Sequence, residues 1–258
     1  MMRTTMLRGR IRRAATAIIV IATLSAALPG SAQQSPAAGA TADLSGVWSN
    51  IRRPEDGPWW IYSFSEDPPP LTAWGEARFD AARPQRGPRG VSVSETDDLV
   101  YQCFPPGVPR IYLHPFPFEI IQLPGRVMIV YEYDHLIRQV YTGGRPHRDD
   151  LAPSWMGDSI GVWEDGTLVV ETVNFNDRTW LDRRAVPHSE QMRLIERFSI
   201  DADGNLRLEM RVEDPIALAE PWTFERVFEK TDWTIEELVC MDNVNYESFE
   251  NSVLEFSE

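Results

Sequence analysis

The chain has 258 residues, of which 25 are basic and 39 acidic, so its formal net charge is −14 at pH 7. A chain this acidic is poorly suited to bind nucleic acid or an anionic membrane surface, because both carry the same sign of charge. It contains no nucleophile elbow, phosphate-binding glycine loop, dinucleotide fingerprint or clustered Cys/His metal spacing. We therefore expect no cofactor and no metal.

The first 32 residues have the three parts of a secretory signal peptide. Five arginines precede an apolar run at residues 14–28, and small residues follow up to a predicted cleavage site after Ala32. The apolar run is short for a membrane span, and polar sequence follows it. Cleavage would leave 20 basic and 39 acidic residues, a net charge of −19. We predict a periplasmic or secreted protein with no membrane insertion after cleavage.

Both cysteines, Cys103 and Cys240, lie in the part of the chain that would be exported. In an oxidising compartment such a pair favours a disulfide bond over two thiols. Closing a loop of this length would stabilise the fold by roughly 4–5 kcal/mol in the chain-entropy model. A nucleophilic cysteine is the alternative.

The exported chain is predicted to be a disordered leader followed by one domain. Residues 33–42 are rich in Ala, Ser, Pro and Gly, and a single domain covers residues 43–258. A short helix is expected at residues 71–82, between two prolines. Residues 103–117 contain five prolines and cannot form a central strand. We expect them to form a stiff surface arm or a lid over one end of a barrel.

Most of the remaining sequence alternates between apolar and polar residues, as β-strands with one buried face do. Asp165-Gly166 between two such runs is a strong hairpin signal, and pairing Glu164 with Thr167 sets its register. Counting both strands of this hairpin, we expect about ten strands in an antiparallel meander, and closure into a barrel would remove its exposed edges. The other predicted strands include residues 118–123, 127–134, 136–141, 190–200, 206–212 and a last hairpin of 222–230 with 233–239.

Several motifs between residues 103 and 243 are similar to those of a family of exported bacterial β proteins. They are Gly107-Val-Pro-Arg110, Trp163-Glu-Asp-Gly-Thr-Leu-Val-Val-Glu171, Asn174-Phe-Asn-Asp-Arg178, His188-Ser-Glu190, Asp214-Pro215 and Pro221-Trp222. The resemblance implies export and a β fold but supplies no catalytic residue. That family more often has histidine at the position of Asp158, which puts a histidine-based role there in doubt. Gly46-x-Trp48 also resembles the first strand of lipocalin-like barrels, where the indole packs across the barrel floor.

Two groups of polar residues are candidates for catalysis because they alternate into apolar faces, where unpaired burial is costly. In the predicted register Asp158 and Glu171 are diagonal neighbours, and an apolar pocket would push their pKa values apart for acid–base work. Alternatively, that face looks outward or each acid pairs with an arginine. His188, Glu190 and Asp214 could likewise meet at one rim of the barrel. The alternative is that they hold backbone amides at loop ends.

A third group suggests ligand binding. Arg226 lies on an apolar face, is predicted to oppose Glu237, and could alternatively hold a ligand carboxylate. Glu196 lies too far from Asp214 for glycosidic cleavage and is expected to pair with an arginine. The 27 aromatic side chains exceed what a small core requires and are consistent with an aromatic-lined cavity. The candidate ligand-binding residues are Trp48, Tyr131, Trp163, Trp222 and Arg226.

These observations predict an exported, all-β, lipocalin-like barrel with one short helix, one disulfide bond and an internal cavity. Its predicted function is to bind an apolar or aromatic small molecule. The alternative is a cofactor-independent hydrolase, lyase or isomerase that uses the His/carboxylate cluster at the rim. A third possibility is a scaffold whose outer face binds another protein.

Overall fold

The computed structural model describes residues 41–243 and shows a closed β-barrel of nine strands. The predicted signal peptide and nearly all of the predicted leader lie outside the described residues. The strands are β1 (Gly46–Asn50), β2 (Phe118–Leu123), β3 (Arg126–Tyr131), β4 (Ile137–Tyr141), β5 (Asp158–Glu164), β6 (Thr167–Val173), β7 (Arg193–Ile200), β8 (Leu206–Glu213) and β9 (Trp222–Thr231).

The strands follow one another around the barrel in chain order, and β1 closes it by pairing with both β2 and β9. The prediction of a closed β-barrel is therefore confirmed. Closure leaves no strand with an unpaired edge, which is the usual way for an all-β protein to avoid edge-to-edge association.

The prediction that every strand pair is antiparallel is wrong for β4 and β5, which run parallel with two paired positions, Val140 with Ser159 and Tyr141 with Ile160. A parallel pair needs a crossover, because the chain must return to the end from which it came. Residues 142–157 make that crossover along the barrel. Alternation of apolar residues shows which strands exist but not their direction, so this segment was not recognised as a crossover.

The central hairpin has the predicted register: Glu164 pairs with Thr167 and Ile160 with Glu171. The turn at Asp165-Gly166 has positive φ at both residues, 45° and 85°, as a type I′ turn requires. The predicted last hairpin is wrong. Its first strand is β9, but residues 233–239 make only a single bridge, Leu238 to Tyr133. Since β9 already pairs with β8 and β1, it has no edge left for another strand.

The predicted short helix is α1 (Ala73–Ala81), and the Thr72 hydroxyl caps it by accepting a hydrogen bond from the Gly75 amide. Short 3-10 helices occupy Pro58–Ile61, Leu99–Gln102, Arg110–Leu113 and Cys240–Asn243. No helix among the described residues is long and apolar enough to cross a membrane.

The segment around Arg110–Leu113 is not a surface arm, because residues 106–114 are all buried. The Tyr112 ring packs against Phe118 of β2, Tyr131 of β3 and Phe228 of β9. Its hydroxyl lies 3.3 Å from Glu196 of β7. A side chain in contact with four strands lies inside the barrel, so we call residues 106–114 the plug.

An ion pair lies at the centre of the barrel, where Arg138 donates to both carboxylate oxygens of Glu196. The predicted pairing of Glu196 with an arginine from another strand is confirmed. Arg138 also donates to Ser159 Oγ at 3.0 Å and to Thr172 Oγ1 at 2.7 Å. The two side chains are almost entirely inaccessible to solvent. The pair therefore ties β4, β5, β6 and β7 together inside the core.

The predicted disulfide bond joins Cys103 to Cys240 across 137 residues. It fixes the segment after β9, which passes over one end of the barrel. We call residues 232–239 the strap. The Glu236 amide donates to Glu132 at 3.0 Å, so the strap is attached to the barrel by one covalent bond and few hydrogen bonds. A disulfide of this kind fits an exported protein.

The buried ion pair makes a stability prediction. Glu196→Gln should lower the free energy of unfolding by about 3–5 kcal/mol, because it leaves the Arg138 guanidinium buried without a counter-charge. Chemical denaturation measures the loss. The control is Glu164→Gln, which breaks the exposed pair with Arg197 at 3.2 Å and should cost less than about 1 kcal/mol. Equal effects of the two substitutions would contradict the role of the buried pair.

Candidate functional site

Asp158 and Glu171 lie on the outer face of the barrel wall and are bridged by His147. His147 Nδ1 lies 3.0 Å from Asp158, and its Nε2 lies 3.2 Å from Glu171. Arg145 pairs with Asp158, and Arg193 pairs with Glu171. We call these five residues the outer clamp. Arg145 and His147 belong to the crossover, so the clamp holds the crossover against β5 and β6.

The outer clamp is poorly suited to acid–base catalysis. Burial alone would raise the pKa of Asp158, but hydrogen bonds from Arg145 and His147 outweigh it and lower that pKa to about 2. The hydrogen bond from Arg193 lowers the pKa of Glu171 as well. Both carboxylates are thus ionised at neutral pH, whereas an acid–base pair needs two different pKa values. Both nitrogens of His147 already face a carboxylate, so the geometry favours the structural alternative.

No hydrogen bond or ion pair joins His188, Glu190 and Asp214, all of which lie among the described residues; His188 and Asp214 have other partners. Asp214 accepts hydrogen bonds from the Ser189 hydroxyl at 2.8 Å and from the amides of Ser189, Ile216 and Ala217 at 2.5, 3.1 and 3.1 Å. Glu190 is exposed. The reason is that β7 begins only at Arg193, so residues 189–191 form a turn and do not continue the strand. Asp214 holds backbone amides, as the structural alternative proposed.

His188 instead contacts Thr179, and both line an open groove of about 390 Å³. His188 Nε2 lies 3.0 Å from Thr179 Oγ1, and Nδ1 lies 3.3 Å from the Ser189 carbonyl. A carbonyl oxygen accepts only, so Nδ1 carries the proton and Nε2 accepts from the threonine hydroxyl. Burial lowers the pKa of His188, which keeps the imidazole neutral. We call this the rim groove.

The aromatic side chains predicted to line a cavity mostly fill the core. Trp48 and Tyr131 are 1% and 3% exposed, Trp222 is also in the core, and Trp163 is partly buried against it. Trp48 donates its indole N–H to the Leu44 carbonyl at 2.9 Å. With the plug inside, the interior is filled at this level. The cavity that we describe next therefore lies at one end of the barrel and not in its interior, where it was predicted.

That end contains a cavity of about 180 Å³, which we call the mouth pocket. It lies where β1 ends and β2 begins, with the plug as its floor and the strap at its edge. Three of its walls are aromatic, Trp60, Tyr112 and Trp233, and Trp233 is 51% exposed. The other lining residues are Ser49, Asn50, Arg52, Ile61, Leu113, His114, Pro115, Arg183 and Arg226.

Arg226 is the one predicted ligand-binding residue that lines the mouth pocket. It does not oppose Glu237, because the strand that was expected to carry Glu237 is absent; its neighbour on β8 is Leu208. Its Nη2 donates to the carbonyls of Trp60 at 2.7 Å and Ser63 at 2.5 Å. Burial lowers the pKa of Arg226 to about 9, so the side chain remains a cation at neutral pH.

Trp60, Tyr112 and Arg183 were not predicted to be pocket residues. Arg183 is buried, and its Nη1 donates to the Ile61 carbonyl at 3.2 Å. All three lie on irregular segments that reach the mouth from distant parts of the sequence, where alternation gives no signal. The proline-rich composition around Tyr112 was the only indication that this segment covers an end of the barrel.

Within residues 41–243, no group of three or more His, Cys, Asp or Glu side chains is placed to hold a metal ion. No protein-family model matches the chain, and a search of curated proteins finds no significant match.

The outer clamp makes a prediction about acid stability. A carboxyl group whose pKa is depressed by folding stabilises the fold above its unfolded pKa, here 3.8, and loses that contribution as the pH falls through the folded value. The free energy of unfolding should therefore decrease between about pH 4 and the folded pKa of about 2. Asp158→Asn should be less stable at pH 7 and should show a weaker decrease over this range.

Denaturation at a series of pH values measures both effects. Asp149→Asn removes an exposed carboxylate that makes no ion pair with the described residues, and it should leave the acid profile unchanged. An Asp158→Asn protein with the wild-type acid profile would contradict the assignment.

Proposed function

We propose that the protein is exported and binds a small apolar or aromatic molecule in the mouth pocket. The observation that supports this most is the pocket itself: a concave site with three aromatic walls next to a buried, polar anchoring group. Sites for small molecules have this composition, with mostly apolar walls and a few polar groups that fix the ligand's orientation.

The walls of the pocket are well placed to hold a ring. Trp60 is partly buried and packs under the Arg226 guanidinium at 4.8 Å, which fixes one aromatic face. Tyr112 is held from behind by the hydroxyl of Tyr131 at 3.0 Å. Trp233 lies on the strap, which the disulfide bond attaches to the barrel. Rigid aromatic groups lose little conformational entropy when a ligand binds.

The proposed compartment is the periplasm or the exterior. Its support is the signal-like composition of residues 1–32, predicted to be cleaved after Ala32, together with the disulfide bond between Cys103 and Cys240. The acidic charge of the exported chain argues against nucleic acid as a partner.

We also propose that β1 has the role of the first strand in lipocalin-like barrels. Trp48 is buried at the inner face of β1, and Lys230 Nζ of the neighbouring β9 lies 5.6 Å from the centre of its ring. The strand count of nine and the parallel β4–β5 pair differ from the eight-stranded, up-and-down arrangement of lipocalins. The proposed likeness to lipocalins is therefore limited to the first strand and to ligand binding at the end of the barrel.

Binding can be tested with the uncharged fluorescent probe N-phenyl-1-naphthylamine, using the full, oxidised exported protein. We expect saturable binding, and we expect Trp60→Ala to weaken it about tenfold, equivalent to about 1.4 kcal/mol, because one aromatic wall is lost. The substitution keeps the Trp60 carbonyl that Arg226 uses, so the pocket should otherwise remain intact.

The matched control is Trp74→Ala, which removes a tryptophan of similar exposure on α1, outside the pocket. It should leave the affinity unchanged. Absence of saturable binding, or equal losses in the two variants, would reject the mouth pocket as the site. A protein that binds neither this probe nor its own co-purified small molecules would favour the scaffold role.

A second candidate function is ester hydrolysis at the rim groove, supported by the contact between Thr179 and His188. In this proposal Thr179 Oγ1 attacks the ester carbonyl carbon, and its proton passes to His188 Nε2. The alcohol then leaves with that proton, and water hydrolyses the acyl-threonine with the same histidine as base. This keeps the predicted hydrolase role of His188 but replaces Glu190 and Asp214 with Thr179.

Hydrolysis of p-nitrophenyl acetate tests this candidate. If it is right, His188→Gln and Thr179→Ala each lower the rate at least 100-fold, Thr179→Ser retains activity, and an acyl adduct of wild type is detected by mass spectrometry at residue 179. His135→Gln removes an exposed histidine and controls for non-specific imidazole catalysis. Equal rates in wild type and in His188→Gln would reject the candidate.

A further inference from the structure

We infer that the ligand of the mouth pocket carries a carboxylate, which binds to Arg226 while the ligand's apolar or aromatic body lies against Trp60 and Tyr112. This inference rests on the proposed binding function and names the class of ligand. It would make the protein a receptor for small amphiphilic acids.

The buried arginines of the described residues fall into two groups, with and without a carboxylate partner. Arg110, Arg138 and Arg184 are each buried, and each has an internal carboxylate: Asp98, Glu196 and Asp182 respectively. Such pairing is the rule, because an unpaired buried charge is expensive.

Arg183 and Arg226 break this rule. They are 4% and 3% exposed, and neither has a carboxylate within 4 Å among the described residues. Both line the mouth pocket. The two buried guanidinium groups without a carboxylate partner among the described residues thus line the same cavity.

Several N–H donors of Arg226 have no acceptor among the described residues. Only Nη2 is engaged, by the two carbonyls described above. Nε has no hydrogen-bond partner, and Nη1 makes none with another described residue. The acid whose charge acts on Arg226 is Asp56, but Asp56 already pairs with Arg53 at 3.3 Å. The guanidinium also lies over the rings of Trp60 and Phe64, at 4.8 and 5.3 Å, but no carboxylate neutralises its charge among the described residues.

The electrostatic potential in the mouth pocket is positive. The lining contains Arg52, Arg183 and Arg226 but no Asp or Glu, although the chain as a whole carries a net charge of −14. His114, which also lines the pocket, is affected by nearby positive charges. Burial, followed by the positive charges of Arg183 and Arg110, lowers its pKa well below the ordinary value. A locally positive pocket in an acidic protein concentrates small anions.

The size of the pocket limits the anion. A volume of about 180 Å³ admits a ring and a small head group. The carboxylate would accept hydrogen bonds from the guanidinium, and charge-assisted hydrogen bonds of this kind are about twice as strong as neutral ones. The aromatic walls would contribute the apolar part of the binding free energy.

The test compares 2-naphthoate with 2-naphthamide, which share ring system and size but differ in charge. Affinities are measured by fluorescence titration at pH 7.5 and constant ionic strength on the full, oxidised exported protein. We expect wild type to bind naphthoate at least tenfold more tightly than naphthamide. Arg226→Gln should remove this preference while changing the affinity for naphthamide less than about threefold.

Two further variants keep the test decisive. Arg52→Gln changes an exposed lining residue and should reduce the preference for naphthoate even if Arg226→Gln fails to fold, as judged by its thermal unfolding. Arg207→Gln removes an equal charge from the outer surface, where Arg207 pairs with Glu209 and Glu225. It should leave both affinities unchanged.

The outcomes separate the inference from the proposed function. If both probes bind equally and Trp60→Ala weakens both, the carboxylate inference is overturned and the binding function stands. If neither probe binds at millimolar concentration, both are rejected. If naphthoate binds more tightly but Arg226→Gln and Arg207→Gln weaken it equally, general electrostatic attraction explains the result and Arg226 is not the site.

Discussion

The rest of the barrel depends on the hydrogen bonds and the ion pair that the buried guanidinium of Arg138 makes. Its five N–H groups have five acceptor contacts: two on Glu196 and one each on Tyr112, Ser159 and Thr172. These partners lie on the plug and on three strands. The contact with Ser159 crosses between β4 and β5, which share only two paired positions. The side chain therefore strengthens the shortest backbone ladder of the barrel. Because all five of its N–H donors are used, none of them is left to bind a ligand inside the barrel.

Local sequence was sufficient to predict the central hairpin, because its turn and its alternation are encoded within a few residues. Asp165-Gly166 gave the correct register for seven paired positions. Strand direction across a long connection has no such local code. The parallel β4–β5 pair was therefore missed, and with it the role of His147, which lies on the crossover and looked like an isolated surface histidine.

The candidate site was harder to predict than the fold, for a physical reason. Pockets at a barrel end are built by irregular segments, and the contacts that bring Trp60 and Arg183 to Arg226 join residues more than 100 positions apart. Alternation predicted that Arg226 lies on an apolar strand face, but it could not show whether that face points inward or whether an acid lies opposite. The prediction that Glu237 pairs with Arg226 was wrong. A structural arginine and a ligand-binding arginine have the same sequence pattern and differ only in whether the protein supplies a counter-charge, so the lack of one is what points to ligand binding at Arg226.

The pairing of β1 with β9 joins residue 47 to residue 231, so the last contact of the barrel is also its longest loop closure. Contacts between such distant residues make folding slow, because the entropy of the intervening chain is lost before the contact is gained. Until β9 is in place, β1 and β8 each present an unpaired edge, the arrangement that recruits strands from other molecules. A chain that ends before β9 would therefore be an aggregation hazard as well as an incomplete barrel, and the ten residues of β9 are the ones that remove both exposed edges.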